Sequence, residues 1–205
     1  SSVLYNGGMV CCVERTIQME RLLFVDCCLR GEGSRTLKLC RAWLDRYRAL
    51  TPGCQIQRVE LARLGLTPLA TEELEQRDRL VAAGALEHPL LALAAQFAAA
   101  DRILVGAPYW DLSFPSALKV YLERVCVCGV TFHYTSTGSE GLCRAKELTY
   151  LTTAGGFIGQ RNFGLDYVAG LADFLGITTT RFACAQGLDI QGMDVDALMT
   201  QALHE

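Results

Sequence analysis

Short stretches rich in apolar and β-branched residues alternate along the chain with segments that carry apolar residues at every third or fourth position. Leu22-Leu-Phe-Val25, followed by Asp26, reads as a strand covered on both faces, because no polar residue marks a wet side. Arg102 to Ala107, Glu147 to Thr153 and Thr178 to Ala185 read as further strands, and Ile56 to Leu61 as a weaker one. Ser34 is placed to cap a helix with apolar positions Leu37, Cys40, Trp43 or Leu44, and Tyr47, closed by Thr51-Pro52-Gly53. Glu72 to Ala100 holds one or two helices broken near His88-Pro89. Pro115 suits the first turn of a helix running to about Cys128. Gly164 to Leu175 is a helix stopped by Gly176, and Asp194 to Leu203 a last one. Gly129 to Leu142 is irregular, with room for a short hairpin. Strands alternating with helices predict an α/β fold, a mostly parallel five-stranded sheet with helices on both faces.

The 205 residues suit one such domain. Met19 directly precedes the first strand, so the domain is expected over 19–205, with 1–18 an N-terminal extension of unknown role. A net charge of −3 favours neither nucleic acid nor an anionic membrane as partner. The most apolar stretch, Pro89 to Ala100, is broken by Gln96 and too short to span a bilayer. The ten cysteines include adjacent pairs and Cys126-x-Cys128 but no C-x2-C, and no histidine pair has ligand spacing, so no metal site is expected. Most lie inside apolar segments, as small hydrophobes do, which fits a reducing, cytoplasmic setting.

In an open parallel sheet, ligands bind at the carboxyl ends of strands, so the loops there hold the candidate chemistry. The first, Asp26 to Thr36, runs into a helix N-terminus whose free N–H groups suit a phosphate. Ser34 and Thr36 add hydroxyls, and Arg30 or Arg35 adds charge. No Walker sequence is present, and Gly31 and Gly33 lack the third glycine of the dinucleotide fingerprint. Taken alone, the loop is either a phosphate seat or a capped helix with solvated arginines. The second, Ala107 to Pro115, sets Tyr109 and Trp110 between prolines, either to edge a flat ring or to pack over the sheet end. The third, Thr152 to Gly156, has two glycines that allow close backbone approach, or merely a flexible turn.

At these residues the chain resembles the FMN-dependent NADH-azoreductase family, among the flavodoxin-like quinone reductases. Gly129-Val-Thr-Phe-His-Tyr-Thr135, followed by Gly138 and Glu140-Gly-Leu142, is similar to the family's G-V-T-F-x-Y-T stretch and its glycine-rich turn. Pro108-Tyr-Trp-Asp-Leu112 stands at the family's P-M-Y-N-F loop, Leu118-Lys119 at its L-K, and Thr153-Ala-Gly-Gly156 at its S-R-G-G. Cys27 and Ser34-Arg-Thr36 fall where the family has phosphate-loop serines. The likeness runs from about Met19 to the C-terminus.

The resemblance implies a flavodoxin-like three-layer sandwich that binds FMN and oxidises NADH or NADPH. Hydride would pass through the flavin to a quinone, azo compound or nitroaromatic by a ping-pong scheme. It implies that Ser34, Arg35 and Thr36, with Cys27, hold the phosphate. Pro108, Tyr109, Trp110, Asp111 and Leu112 would run along the ring, and Thr153, Ala154, Gly155 and Gly156 would meet its pyrimidine side. Phe132 and Tyr134 would lie near the mouth, towards substrate, and two copies would form a homodimer with flavins at the interface. No side chain need act as acid or base; His133 reads as a surface histidine. Three positions depart from the family pattern: Trp110-Asp111 for Tyr-Asn, Ala154 for arginine, and Cys27 for serine. A second function class, an electron-transfer flavoprotein of flavodoxin type without its own turnover, shares the same cleft.

Overall fold

The computed structural model describes residues 19–204, and the 1–18 extension lies outside them. The chain runs β1 (Arg21–Asp26), α1 (Arg35–Leu50), β2 (Gln55–Glu60), α2 (Leu61–Leu64), α3 (Thr71–Ala82), α4 (Ala92–Ala99) and β3 (Arg102–Gly106). It continues with α5 (Ser116–Val125), β4 (Phe132–Thr135), β5 (Gly138–Gly141), β6 (Glu147–Thr153), α6 (Phe163–Phe174), β7 (Thr179–Ala185) and α7 (Val195–Gln201). Five strands form one parallel sheet in the order β2-β1-β3-β6-β7, and β4 and β5 pair as a separate antiparallel hairpin.

The unbroken apolar runs are central strands, whose successive side chains enter two different cores. Leu23, Val25, Ile103, Val105 and Tyr150 join α5 and α6 residues such as Leu118, Leu122, Val168 and Ala172 on one face. Leu22, Phe24, Leu104 and Leu151 join Leu37, Cys40 and Leu44 of α1 on the other, with Leu198 and Met199 of α7 packed against them. The weaker run is the edge strand β2, mostly exposed and carrying Arg58, a charge that blunts strand-to-strand association.

Most boundaries shift by one or two residues from the sequence expectation, and two of the shifts have a clear local reason. The strand expected to reach Leu61 ends at Glu60, and Leu61 starts a single helical turn that Gly65 closes in the left-handed conformation. The helix expected to reach Cys128 stops at Val125. There the buried Thr131 hydroxyl donates to the Val125 carbonyl at 2.8 Å and accepts the Val127 N–H at 3.0 Å, replacing helical partners.

That same segment leads into the hairpin, which places Phe132 and Tyr134 away from the cleft of their own chain. Helix α5 carries the chain from the carboxyl ends of the strands back to their amino ends. Helix α6 does the same, since it connects two parallel strands. The hairpin docks where α6 ends: the Cys143 N–H donates to the Leu175 carbonyl at 3.2 Å, and Phe132 packs on Phe174 with ring centroids 4.7 Å apart. Gly141 is pressed so closely on the Leu175–Gly176 backbone that a Cβ there would lie 1.9 Å from the Leu175 carbonyl carbon. Phe132 is thus a core residue, and Tyr134 stands exposed at the sheet edge opposite the strand-end loops.

Burial pushes the Cys27 and Cys143 thiols up to about 12 and the Cys126 thiol up to about 11. Unfolded thiols ionise near the ordinary 9.0, so above that pH the unfolded chain releases protons that the folded chain retains. The stability these thiols contribute is complete below pH 9.0 and is lost as pH climbs towards about 12. Urea midpoints measured across that window are expected to fall continuously, and to fall less in a Cys27→Ala, Cys143→Ala double variant.

Candidate functional site

The cleft forms where the sheet changes its order of winding. From β1 the chain moves to β2 on one side and then returns to β3 on the other, so the loops leaving β1 and β3 diverge and leave a crevice. The cleft measures about 680 Å³ counted to its open mouth, and the loops after β1, β3, β6 and β7 wall it.

The first wall is the loop into α1. Asp26, buried at the end of β1, accepts the Cys28 N–H on Oδ1 at 2.9 Å and Arg58 Nε on Oδ2 at 3.0 Å, fixing the first turn of the loop. Ser34 caps α1 by accepting the Leu37 N–H at 3.2 Å, which leaves the hydroxyl proton available to a ligand. The amide N–H groups of Arg35 and Thr36 meet no acceptor among the described residues, as expected of a first helical turn. Together with the positive end of the helix dipole they form an anion seat.

The second wall is the loop after β3. Tyr109 is anchored at both ends: its N–H donates to the Thr153 carbonyl at 3.0 Å and its hydroxyl to the Arg161 carbonyl at 2.7 Å. Trp110 and Ser113 exchange N–H···O bonds at 3.0 and 2.8 Å around a tight turn. Its two central residues, Asp111 at φ 50° and Leu112 at φ 68°, occupy the left-handed region, a cost of about 1–3 kcal/mol each for non-glycine residues. The turn pushes both outward. Pro108, Tyr109 and Trp110 line the cleft, whereas Asp111 and Leu112 form its outer rim.

The third wall is Thr153 to Gly156, zipped to the loop after β7. The Gly187, Leu188 and Asp189 N–H groups donate to the carbonyls of Gly156, Ala154 and Gly155 at 3.0, 3.1 and 2.9 Å. The glycine carbonyls are therefore occupied, while the N–H groups of Gly155 and Gly156 meet no acceptor among the described residues. A Cβ on Gly155 would lie 2.2 Å from Asp189 Oδ2 and would displace that side chain. Across the cleft floor, the buried Thr36 and Thr153 hydroxyls share a hydrogen bond of 2.7 Å, joining the anion seat to this wall.

The structure thus brings Ser34, Arg35, Thr36, Pro108, Tyr109, Trp110, Thr153, Ala154 and Gly155 to one cleft, with Gly156 next in the third loop. Cys27 lies beneath it: fully buried, in the core with Leu118, its thiol held protonated by burial. Phe132 and Tyr134 are at the far edge of the sheet, and His133 pairs with Glu140 at 3.2 Å across the hairpin. Leu29, Leu188 and Asp189 line the cleft without having been expected there. Gly187, left-handed at φ 77° two residues after the last strand, was the sequence signal for a fourth strand-end loop. Among the described residues no group of three or more His, Cys, Asp or Glu is arranged to hold a metal.

A doubly wound sheet with an anion seat, an aromatic wall and paired glycine amides at its switch point defines a flavodoxin-type nucleotide-binding domain. The sequence profile of the flavodoxin-like fold family matches residues 20–205, and the chain belongs to that family. It is 33% identical over 193 residues to the FMN-dependent NADH:quinone oxidoreductase 2 of Clostridium acetobutylicum, covering 91% of this chain and 96% of that protein. It is 31% identical over 190 residues to the FMN-dependent NADH:quinone oxidoreductase of Clostridium beijerinckii, with the same coverage of each. Among solved structures it resembles an azoreductase from Bacillus anthracis str. Sterne, with a TM-score of 0.80 at 24% identity over 91% of this chain and 96% of that one. A Bacillus anthracis str. Ames Ancestor FMN-dependent NADH-azoreductase, solved in complex with FMN, superposes with a TM-score of 0.77 at 19% identity, over 90% and 95% of the chains.

Because the Cys27 thiol is outside the cleft, Cys27→Ala is expected to lower stability by about 1 kcal/mol through a small core void, and to leave flavin binding unchanged. Thermal melts together with a fluorescence titration of the apo-protein check both.

Proposed function

We propose that this chain is an FMN-dependent NADH oxidoreductase that reduces quinones or azo compounds. The carrying observation is one cleft with an anion seat at one end, free glycine amides at the other and a rigid aromatic wall between. Those donors fit a phosphorylated ring system: hydroxyls and first-turn amides for the phosphate, amides without partners for ring carbonyls. Ser34, Thr36 and the start of α1 would hold the phosphate of FMN. Pro108 to Trp110 would flank the ring, and the Gly155 and Gly156 N–H groups would hydrogen-bond its pyrimidine edge. Bound FMN supplies the hydride chemistry, accepting from the nicotinamide and donating to the acceptor. The chain's part is to fix the ring and aim amide dipoles where negative charge accumulates, a preorganised electrostatic effect. The names of the Clostridium relatives support NADH as donor and a quinone as acceptor. Azo compounds follow from the structural neighbours, and nitroaromatics extend the same range of flat acceptors.

The reading extends to a homodimer. Leu112, Phe163 and Tyr167 leave an apolar surface beside the cleft, 41%, 55% and 36% exposed, which a second copy would cover. Phe132 is taken up by the core, so of the two hairpin aromatics only the exposed Tyr134 is free to meet another copy. A cytoplasmic setting is supported by eight free cysteines among the described residues, and no described helix is long and apolar enough to cross a membrane.

The purified protein is expected to be yellow, or to become so with added FMN, and to oxidise NADH with menadione in a ping-pong pattern, because one cleft serves both substrates. Flavin binding without turnover would assign the chain to the electron-transfer class instead. Failure to bind FMN would reject both readings.

A further inference from the structure

Arg35 is the cation expected to meet the phosphate, but its guanidinium is already committed. Nη1 donates to the Leu188 carbonyl at 2.8 Å and Nη2 to Asp189 Oδ1 at 2.6 Å. Its charge is paired with a carboxylate inside the cleft wall, and the fork that would grip a phosphate instead ties α1 to the loop after β7.

Arg30 lines the same cleft in a different state. It has no carboxylate partner among the described residues. Its Cζ lies 6.0 Å from the centroid of the Trp110 ring, so the indole face and the guanidinium are positioned together. A cation–π contact at this distance uses none of the guanidinium N–H donors, so they stay available to a bidentate anion. The backbone beneath is held: the Arg30 carbonyl accepts the Gly33 N–H at 3.2 Å, and the Cys28 carbonyl accepts the Gly31 N–H at 2.9 Å.

We propose that Arg30, steered by Trp110, is the cation that pairs with the FMN phosphate, and that Arg35 is a strut between two cleft loops. The proposal rests on the flavin reading above and assigns the charge within it. A dianionic phosphate seated on Ser34, Thr36 and the start of α1 would otherwise meet hydroxyls, amides and a helix dipole but no unpaired cation.

Riboflavin, which lacks the phosphate, separates the two roles. Apo-protein is titrated with FMN and with riboflavin, following flavin fluorescence, in the wild type, Arg30→Gln, Arg30→Lys and Arg35→Gln. Arg30→Gln is expected to weaken FMN by about 10- to 100-fold, the span of a charged hydrogen bond, and to leave riboflavin unchanged. Arg30→Lys should fall between, keeping the charge but not the fork. Arg35→Gln should lower the melting temperature and weaken both ligands alike. The proposal is overturned if Arg30→Gln binds FMN like the wild type, or loses both flavins equally. It is also overturned if the FMN-selective loss appears in Arg35→Gln, or if Arg30→Gln raises only the KM for NADH. A wild type that binds neither flavin overturns the flavin reading itself, whereas normal wild-type binding with an indifferent Arg30 overturns this assignment alone.

Discussion

Thr36 and Thr153 face each other across the cleft floor with their hydroxyl oxygens 2.7 Å apart, buried beneath the loops that form the walls. One sits in the first turn of α1, the other at the end of β6, and neither strand of the intervening β1–β3 pair separates them at the floor. This contact sets the distance between the anion seat and the glycine amides. A ligand gripped at both ends requires a fixed span, so the bond does more than stabilise by the usual ~1 kcal/mol of a buried hydrogen bond. The zipper between the loops after β6 and β7, and the Arg35 strut across it, hold the same span from outside. The direct bond and this strut-and-zipper path are two ties on one dimension and make a preformed cleft, which limits the ordering that binding has to impose.

Rigidity at the second wall has a different origin. The turn at Asp111 and Leu112 places two side-chain-bearing residues at positive φ. Such strain persists only where surrounding contacts over-determine it. Here the Trp110–Ser113 pair closes the turn, and the Leu112 carbonyl accepts the Phe163 N–H at 3.2 Å from the start of α6. The effect is to turn Asp111 and Leu112 outward while Tyr109 and Trp110 face in. The Asp111 carboxylate is thereby kept at the rim, away from the charge that a reduced ring would carry.

The fold was legible in the sequence because central strands covered on both faces carry few polar residues besides threonine, and their lengths and spacing then fix the alternation with helices. Leu22 to Val25 and Glu147 to Thr153 needed no tertiary information. The three strand-end loops were legible for the same reason, since the sheet alone dictates where they gather. What could not be read was direction. Cys27 and Ser34 both lie in the phosphate loop, yet one points into the core and the other caps a helix, and only packing distinguishes them. Arg30 and Arg35 are equally charged, and the carboxylate that separates their roles, Asp189, lies 154 residues along the chain from Arg35. Pairings of that range have no local pattern.

The segment that carried the family resemblance most strongly shows the same limit from the other side. Within Gly129 to Thr135, the Thr131 hydroxyl takes over backbone groups at the end of α5, and Phe132 packs on Phe174. Gly141, further along the hairpin, fits flush on the Leu175 backbone. Every one of these roles concerns docking a hairpin at the amino-terminal edge of the sheet. None touches the cleft of the same chain. A stretch of sequence can therefore identify a family with high specificity while serving its architecture, since close backbone packing constrains residue identity as tightly as a ligand does. The exposed Tyr134 is held least within the motif: its ring meets Phe132 edge-on, with centroids 5.6 Å apart, and is otherwise turned to solvent.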